Sequence, residues 1–366
     1  MNEIREWLRD LTALVGVSSR EDDVANYMAD AFSQTTDQVE VDMLGNVTAA
    51  FLSGCDDAQR ILFFAHMDEV GMIVRKVEDD GFLRLERLSA VHSHTLQGTV
   101  YNVRAHSGKL VQGVIGAKAH HTMSADEKNK VVDMHQLFLD IGCRSAEQAE
   151  QLGITAGCIA AYDHRFIEMP NNIVASKSLD DRVGLVTLLG LAKHLKGKKY
   201  PFDIYLTASV QEEFNIRGIM PAVRKIDPDI AIGMDITPSA DTPDLKSYNE
   251  TRLGGGPALT YYNYHGRGTL NGIVPNEKLV QFLESTCVQE NIAFQREVCR
   301  GVLNESSYIS ISGKKGVATA SVCIPTRYAH TPVETASLDD IAATIKLLCA
   351  FTDRWNPEIN LKLCVY

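Results

Sequence analysis

Short apolar runs alternate with amphipathic ones along most of the chain. The runs "DIYLTASV" (203–210), "DIAIGMDI" (229–236) and "ATASVCIP" (318–325) are rich in β-branched residues and predict buried strands. Helical periodicity lies between them, near 217–226 and 276–290. At the N-terminus, "MNEIREWLRDLTALVG" places Ile4, Trp7, Leu8, Leu11 and Val15 on one helical face, which predicts a helix packed on a core. "SSREDDVANYMADAF" offers Ser18 and Glu21 as a capping box, and "SLDDIAATIKLLCAF" opens a late helix at Ser337. Strands alternating with helices in this way predict an α/β fold, a central mixed sheet flanked by helices.

The pattern changes between about residues 72 and 163. "MIVRKVEDDGFLRLERL" reads as a hairpin turning at Asp79, Asp80 and Gly81, and "TVYNVRAHSGKLVQGVIG" as two β-rich runs around Ser107 and Gly108. Helical pattern is scarce there apart from "SAEQAEQLG", opened by Ser145 with Gln148 three residues on. The expected organisation is an α/β unit made of 1–71 and 164–366, interrupted by a small, barrel-like β-rich domain at 72–163.

Composition narrows the partners. The chain has 366 residues, enough for one large core and a smaller one, with 45% apolar and 23% charged residues. A net charge of -11 repels a phosphate backbone, so nucleic acid is not an expected partner. No apolar run approaches the roughly 18 residues of a membrane span, and the N-terminus lacks the pattern of a signal peptide. The eight cysteines form no CxxC pair and sit mostly in apolar surroundings, which suits reduced thiols and a cytoplasmic setting.

Chemistry gathers where the predicted strands end. His66 follows "ILFFA", Glu212 and Glu213 follow "IYLTASVQ", Asp235 ends "IAIGM", and His330 comes shortly after "ASVCIPTRYA". In open α/β sheets, ligands bind beyond the carboxyl ends of strands, so residues far apart in sequence are brought to one edge. Asp180 and Asp181, which precede the helical run "RVGLVTLLGLAKHL", are a further candidate. Two histidines and several carboxylates make a nitrogen and oxygen donor set suited to two zinc-like ions, one carboxylate bridging them. Such a pair generates hydroxide and polarises a carbonyl, which leaves one further carboxylate to move the proton, a division that fits Glu212 beside Glu213.

"AHMDEVG", "SLDDRVG", "QEEFNIRG", "GMDITPSADTPD" and "IPTRYAHTPVE" together resemble the tetrahedral-type dinuclear-metal aminopeptidase family, which includes glutamyl and deblocking aminopeptidases. The five motifs stand in family order over residues 65 to 334. The resemblance implies a di-zinc exopeptidase-like fold, with His66 and Asp235 holding one metal, Glu213 and His330 the other, and Asp180 bridging. It makes Glu212 the general base and has Asp68 orient His66. Zinc is the expected ion, with cobalt and manganese as alternatives. The implied substrates are peptides with a free N-terminus, and the implied assembly is a homo-oligomer of dimers forming a hollow dodecamer. The 113 residues from 67 to 179 place the insertion before the bridging Asp180, as in the aminopeptidases and unlike related carboxypeptidases and deacylases.

The chain departs from the family at "GVLNESSYIS", where relatives carry a Gly-Thr-Asp-Ala-like stretch, and "LGGGPALTYYNYHGRGTLNG" is tyrosine-rich where relatives shape substrate access. Side-chain preference therefore does not carry over. His92 with His94, and His120 with His121, are expected at the surface. Neither GxSxG, HExxH nor GxxxxGK[ST] occurs, which removes the main support for serine hydrolases, mononuclear zincins and P-loop enzymes. Against the aminopeptidase stand two alternatives: another di-metal hydrolase on the same site (a deacylase, carboxypeptidase or glycosidase), or an inactive scaffold.

Overall fold

The computed structural model describes residues 1–265 and 272–364. Among them a twelve-stranded mixed sheet forms the larger layer. Four of its central strands, Asp203–Ser209, Arg60–His66, Ile230–Pro238 and Ala318–Arg327, lie side by side in that order and run parallel. Arg60–His66 shows why its sequence is continuously apolar. Ile61, Phe63 and Ala65 enter the main core, whereas Leu62 and Phe64 pack on the opposite face against Ile219, Val223 and Ile226. A strand covered on both faces has no solvent side on which to alternate.

The helices supply those covers. Leu179–Leu195 is buried along almost its whole length and brings Leu185, Val186, Leu188 and Leu189 to the same core as Leu347, Leu348 and Phe351 of Leu338–Arg354. The N-terminal helix Asn2–Ala13 buries Leu8 and Leu11 there, as its periodicity predicts, while Val15 lies beyond its end and packs against Ile159. Ser337 caps the last helix by accepting from the Asp339 amide at 3.2 Å.

One cap is corrected. The helix Asp22–Ser33 begins after Glu21 with no side-chain cap, because Ser18 gives its hydroxyl to Asp68 and Glu21 accepts from the amides of Ser19 and Gln211. Local spacing satisfied the capping pattern, but tertiary partners took both groups.

A second sheet has five antiparallel strands in the order Leu83–Arg87, Met72–Val77, Ile159–Tyr162, Thr99–Arg104, Leu110–Ile115. Its edges curl toward a common segment, for Leu83 pairs with Leu139 and Val114 with the adjacent Asp140. Gly113 permits that closure, since a Cβ there would stand 2.7 Å from Leu139 and 2.8 Å from the Asp140 carbonyl. The enclosed core includes Met72, Leu85, Tyr101, Val103, Leu139 and Tyr162. The mixed α/β layer and this curled sheet are the expected fold class. Both predicted hairpins are present, and the short helix Ala146–Gln151 is capped by Ser145. All eight cysteines are free thiols, Cys55 and Cys364 being exposed. Among the described residues no helix is long and apolar enough to cross a membrane.

Candidate active site

The parallel register gathers the polar residues that follow the apolar runs, although Asp235 lies within its strand, which continues to Pro238, rather than at its end. Ser209 pairs with His66 across one ladder and Asp235 with Cys323 across another. Beyond Ser209 the chain turns, with Gln211 at φ 57°, and the side chains of Glu212 and Glu213 both line one cavity. Adjacent residues on a continuing strand would face opposite sides. That cavity, of about 500 Å³, is also lined by Asp180, Asp235 and His330, and beyond them by Asn263, Asn304 and Tyr308.

Asp180 lies at the centre of the cluster. One of its oxygens is 3.0 Å from His66 Nε2 and the other 3.2 Å from His330 Nε2. His66 Nε2 is 4.0 Å from Asp235, and His330 Nε2 is 3.3 Å from Glu213. Two triads result, His66 with Asp180 and Asp235, and Asp180 with Glu213 and His330, each with its donor atoms within 4.8 Å of one another.

Hydrogen bonding at the far side of each imidazole tests whether this set fits metal ions. His66 Nδ1 stands 3.0 Å from the Asp68 carbonyl, and His330 Nδ1 3.1 Å from the Ala90 carbonyl. A carbonyl only accepts, so Nδ1 carries the proton in both rings. Each ring thus turns Nε2 toward the carboxylate oxygens, the atom with which a neutral imidazole ligates a cation. Glu213 Oε1 is buried without a hydrogen bond, its 3.3 Å approach to His330 being poorly aligned. The donor set therefore fits divalent ions of the zinc class.

The carboxylates and histidines of the cluster also compensate one another's charge. Burial pushes the carboxyls of Glu212 and Asp235 well above their ordinary range, and that of Glu213 up to about 7; the opposing charge comes from His66 and His330. Burial also acts on Asp180, but hydrogen bonds from His330 and His66 outweigh it and hold its carboxyl below the usual range. Burial disfavours charge on both histidines, yet neighbouring acids raise them well above their ordinary value.

The Asp68 carboxylate is 3.5 Å from His66 Nδ1, farther than its own backbone carbonyl. It accepts instead from the Ser18 hydroxyl and from the amides of Glu212 and Glu213, at 2.9 and 3.0 Å. Glu69 points away from the cluster and pairs with the fully buried Lys177 at 2.7 and 2.9 Å. Arg182, equally buried, donates to the Met67 carbonyl.

Sequence reasoning assigned no role to Glu334. One of its oxygens accepts from the His330 amide at 2.6 Å and the other from the Asp180 amide at 3.0 Å, so a single buried carboxylate ties the turn that carries His330 to the start of the helix that carries Asp180. Its position in "IPTRYAHTPVE", four residues after His330, was the available signal. In the divergent stretch, Asn304 belongs to the cavity wall, whereas Glu305 lies behind it, accepting from Ser209 at 2.6 Å. Of the tyrosine-rich stretch, Asn263 and His265 line the cavity and residues 266–271 lie outside the described residues. His92, His94, His120 and His121 are exposed, as expected.

Residues 45–347 match the model of the family described as M42 glutamyl aminopeptidase. The chain belongs to this family. The M42 chain is 43% identical to SgcX of Escherichia coli (strain K12) over 347 residues, covering 95% of itself and 92% of that protein. It superposes on aminopeptidase APDkam598 of the archaeon Desulfurococcus kamchatkensis with a TM-score of 0.90 at 36% identity, covering 98% of this chain and 96% of the other. PhTET1-12s, whose structure holds a dodecamer in the asymmetric unit, gives 0.84 at 26% identity over 95% and 98% of the two chains. Family membership agrees with the resemblance carried by the five motifs and makes this M42 protein a peptide hydrolase, a metal-dependent aminopeptidase.

Proposed function

We propose that the chain removes N-terminal residues from peptides at a dinuclear metal centre, held by His66, Asp235, Glu213 and His330 and bridged by Asp180. The observation that carries this reading is the sharing of Asp180 by two histidine-carboxylate triads beside Glu212. When bound, two divalent ions, zinc first and cobalt or manganese as alternatives, supply a nucleophilic hydroxide at neutral pH and polarise the first peptide carbonyl. Glu212 accepts the proton of the attacking water and returns it to the leaving amine, a task suited to a carboxyl whose affinity for protons is raised by burial. Asp68 fixes the backbone from which Glu212 and Glu213 project, and the carbonyls of Asp68 and Ala90 hold the two imidazoles in the Nδ1-protonated form.

The free α-amine of the substrate sits beside the acidic cluster and sets the scissile bond one residue in. Mass spectrometry of digests is expected to show stepwise shortening from the N-terminus, and N-acetylated peptides to resist. Internal cuts, or equal cleavage of acetylated peptides, would overturn the assignment.

Residues 1–71 with 164–366 form the catalytic unit in this reading, and 72–163 an inserted unit that serves assembly and substrate access. The dodecamer of PhTET1-12s supports a homo-oligomer of dimers for this chain as well. Light scattering is expected to give a mass of many subunits; a stable monomer at micromolar concentration would refute the assembly.

A further inference from the structure

The loop that carries Glu212 and Glu213 is held in an unusual way. Its four successive amides are bound by side chains rather than by a ladder. Val210 donates to Asn46 at 3.0 Å, Gln211 to Glu21 at 3.1 Å, and Glu212 and Glu213 to the two oxygens of Asp68 at 2.9 and 3.0 Å. The loop is then closed on itself, for Ile216 donates to the Glu212 carbonyl at 2.7 Å and Arg217 to that of Gln211 at 3.3 Å. Gly218 leaves room for this fold, since a Cβ there would stand 1.6 Å from the Val210 carbonyl oxygen.

Of the three holding residues, Asn46 and Asp68 adjoin strands of the sheet that also carries the cluster, Asn46 preceding Val47–Phe51 and Asp68 following Arg60–His66. Glu21 reaches in from outside the sheet, from the turn before the helix Asp22–Ser33. It is 4% exposed and does not line the cavity. Its Oε1 accepts from Ser19 at 2.9 Å and from Gln211, and among the described residues Oε2 makes no hydrogen bond. The turn presenting it is braced in its own right. Arg20 donates its amide to the Val17 carbonyl at 2.8 Å, Ser18 donates to Asp68, and Arg104 of the second sheet reaches the Arg20 carbonyl at 3.4 Å. The amide that Glu21 holds belongs to the residue at φ 57°, a conformation that costs a non-glycine residue energy unless its surroundings impose it.

We propose that Glu21 is a positioning residue for the reaction. By accepting from Gln211 it imposes the left-handed backbone that aims the next side chain, Glu212, into the cavity. The inference rests on the assignment of Glu212 as the base. Proton transfer needs heavy-atom approaches of roughly 2.6–3.2 Å, and a displacement of about 1 Å at a reacting group costs on the order of 10²-fold in rate. Without its acceptor Gln211 is free to relax toward negative φ, which rotates the peptide plane leading into Glu212. Binding of substrate and of metal is less affected, because Glu212 adjoins the relaxing residue directly, whereas Glu213 lies one residue farther along and is separated from it by two amides that Asp68 still holds.

Steady-state kinetics, bound metal and thermal melting of the zinc-loaded enzyme test this with Glu21→Ala, Glu21→Gln and Glu212→Gln, below every melting transition. Glu21→Ala is expected to lower kcat by at least about tenfold, with KM within about twofold of the parent and parental metal content. Glu21→Gln keeps an oxygen that accepts from Gln211 and Ser19, and is expected to recover kcat to within about threefold of the parent. If Glu21→Ala does not fold, Glu21→Asp, one methylene too short, takes its place with the same expectation. Parental kcat in the folded variant, an equal loss in Glu21→Gln, or a loss explained by missing metal would each overturn the proposal while leaving Glu212 in its role. Retained turnover in Glu212→Gln would overturn the base assignment, and this inference with it.

Discussion

Replacing Glu212 by Gln is expected to lower turnover by about 10²–10⁴-fold while bound metal stays near the parental level. Gln has the same shape, and the amide at 212 still donates to Asp68, so the loop keeps its geometry. What disappears is the capacity to take and return a proton. If Glu212 only ended a strand, a neutral substitution would change stability by about 0.5 kcal/mol or less and leave turnover intact. Its setting argues otherwise. The residue is 8% exposed, and burial together with Asp235 and Glu213 raises its proton affinity against the influence of His66. A carboxyl poised in that way suits both halves of a proton relay. Steady-state kinetics with metal analysis on the same preparation is the check, and near-parental kcat at full metal occupancy would remove Glu212 from the reaction.

Much of this site is legible in the sequence because strand ends are legible. Runs such as "ILFFA" and "IAIGM" are apolar on both faces, so the first polar residue after each flags the same end of the sheet. His66 closes its strand, and Asp235 lies two residues past the last pair with that strand, Gly233 with Phe64, although its own strand runs on to Pro238. Asp180 is legible for a different reason, as an acid opening an apolar helix. The layer behind the cluster is not legible. Lys177 in "ASKSL" and Arg182 in "DDRVG" look like ordinary solvated cations, yet both are fully buried. Their burial makes sense only once Glu69, Asp68, Glu21 and Asp181 are known to surround them, and no local pattern conveys that. Ser18 and Glu21 fail in the opposite sense. Their spacing carries a strong local signal, and partners some 50 and 190 residues away override it. The curl of the second sheet is of the same kind, since the pairing of Leu139 and Asp140 with both of its edges follows no hairpin or periodic cue.

The two triads lead to a second large effect, in which Glu213→Gln and Asp180→Ala behave differently. Glu213 contributes to one triad only. Its replacement by Gln removes an anionic donor beside His330 and leaves His66, Asp180 and Asp235 intact, so one of the proposed ions should be lost and the other kept. Affinity at the damaged position should fall by more than the roughly 10–100-fold typical of losing an outer partner of a metal ligand, and excess metal should restore part of the activity. Asp180 contributes to both triads, with one oxygen 3.0 Å from His66 and the other 3.2 Å from His330. Removing it leaves each imidazole with a single carboxylate, and both ions should be lost with little recovery in excess metal. The fold should survive, because Glu334 reaches the Asp180 backbone amide rather than its side chain. Metal content by mass spectrometry, with activity titrated against added zinc, separates the two variants. If Asp180→Ala kept as much metal as Glu213→Gln, the bridging role would be wrong and the triads would have to be treated as independent sites.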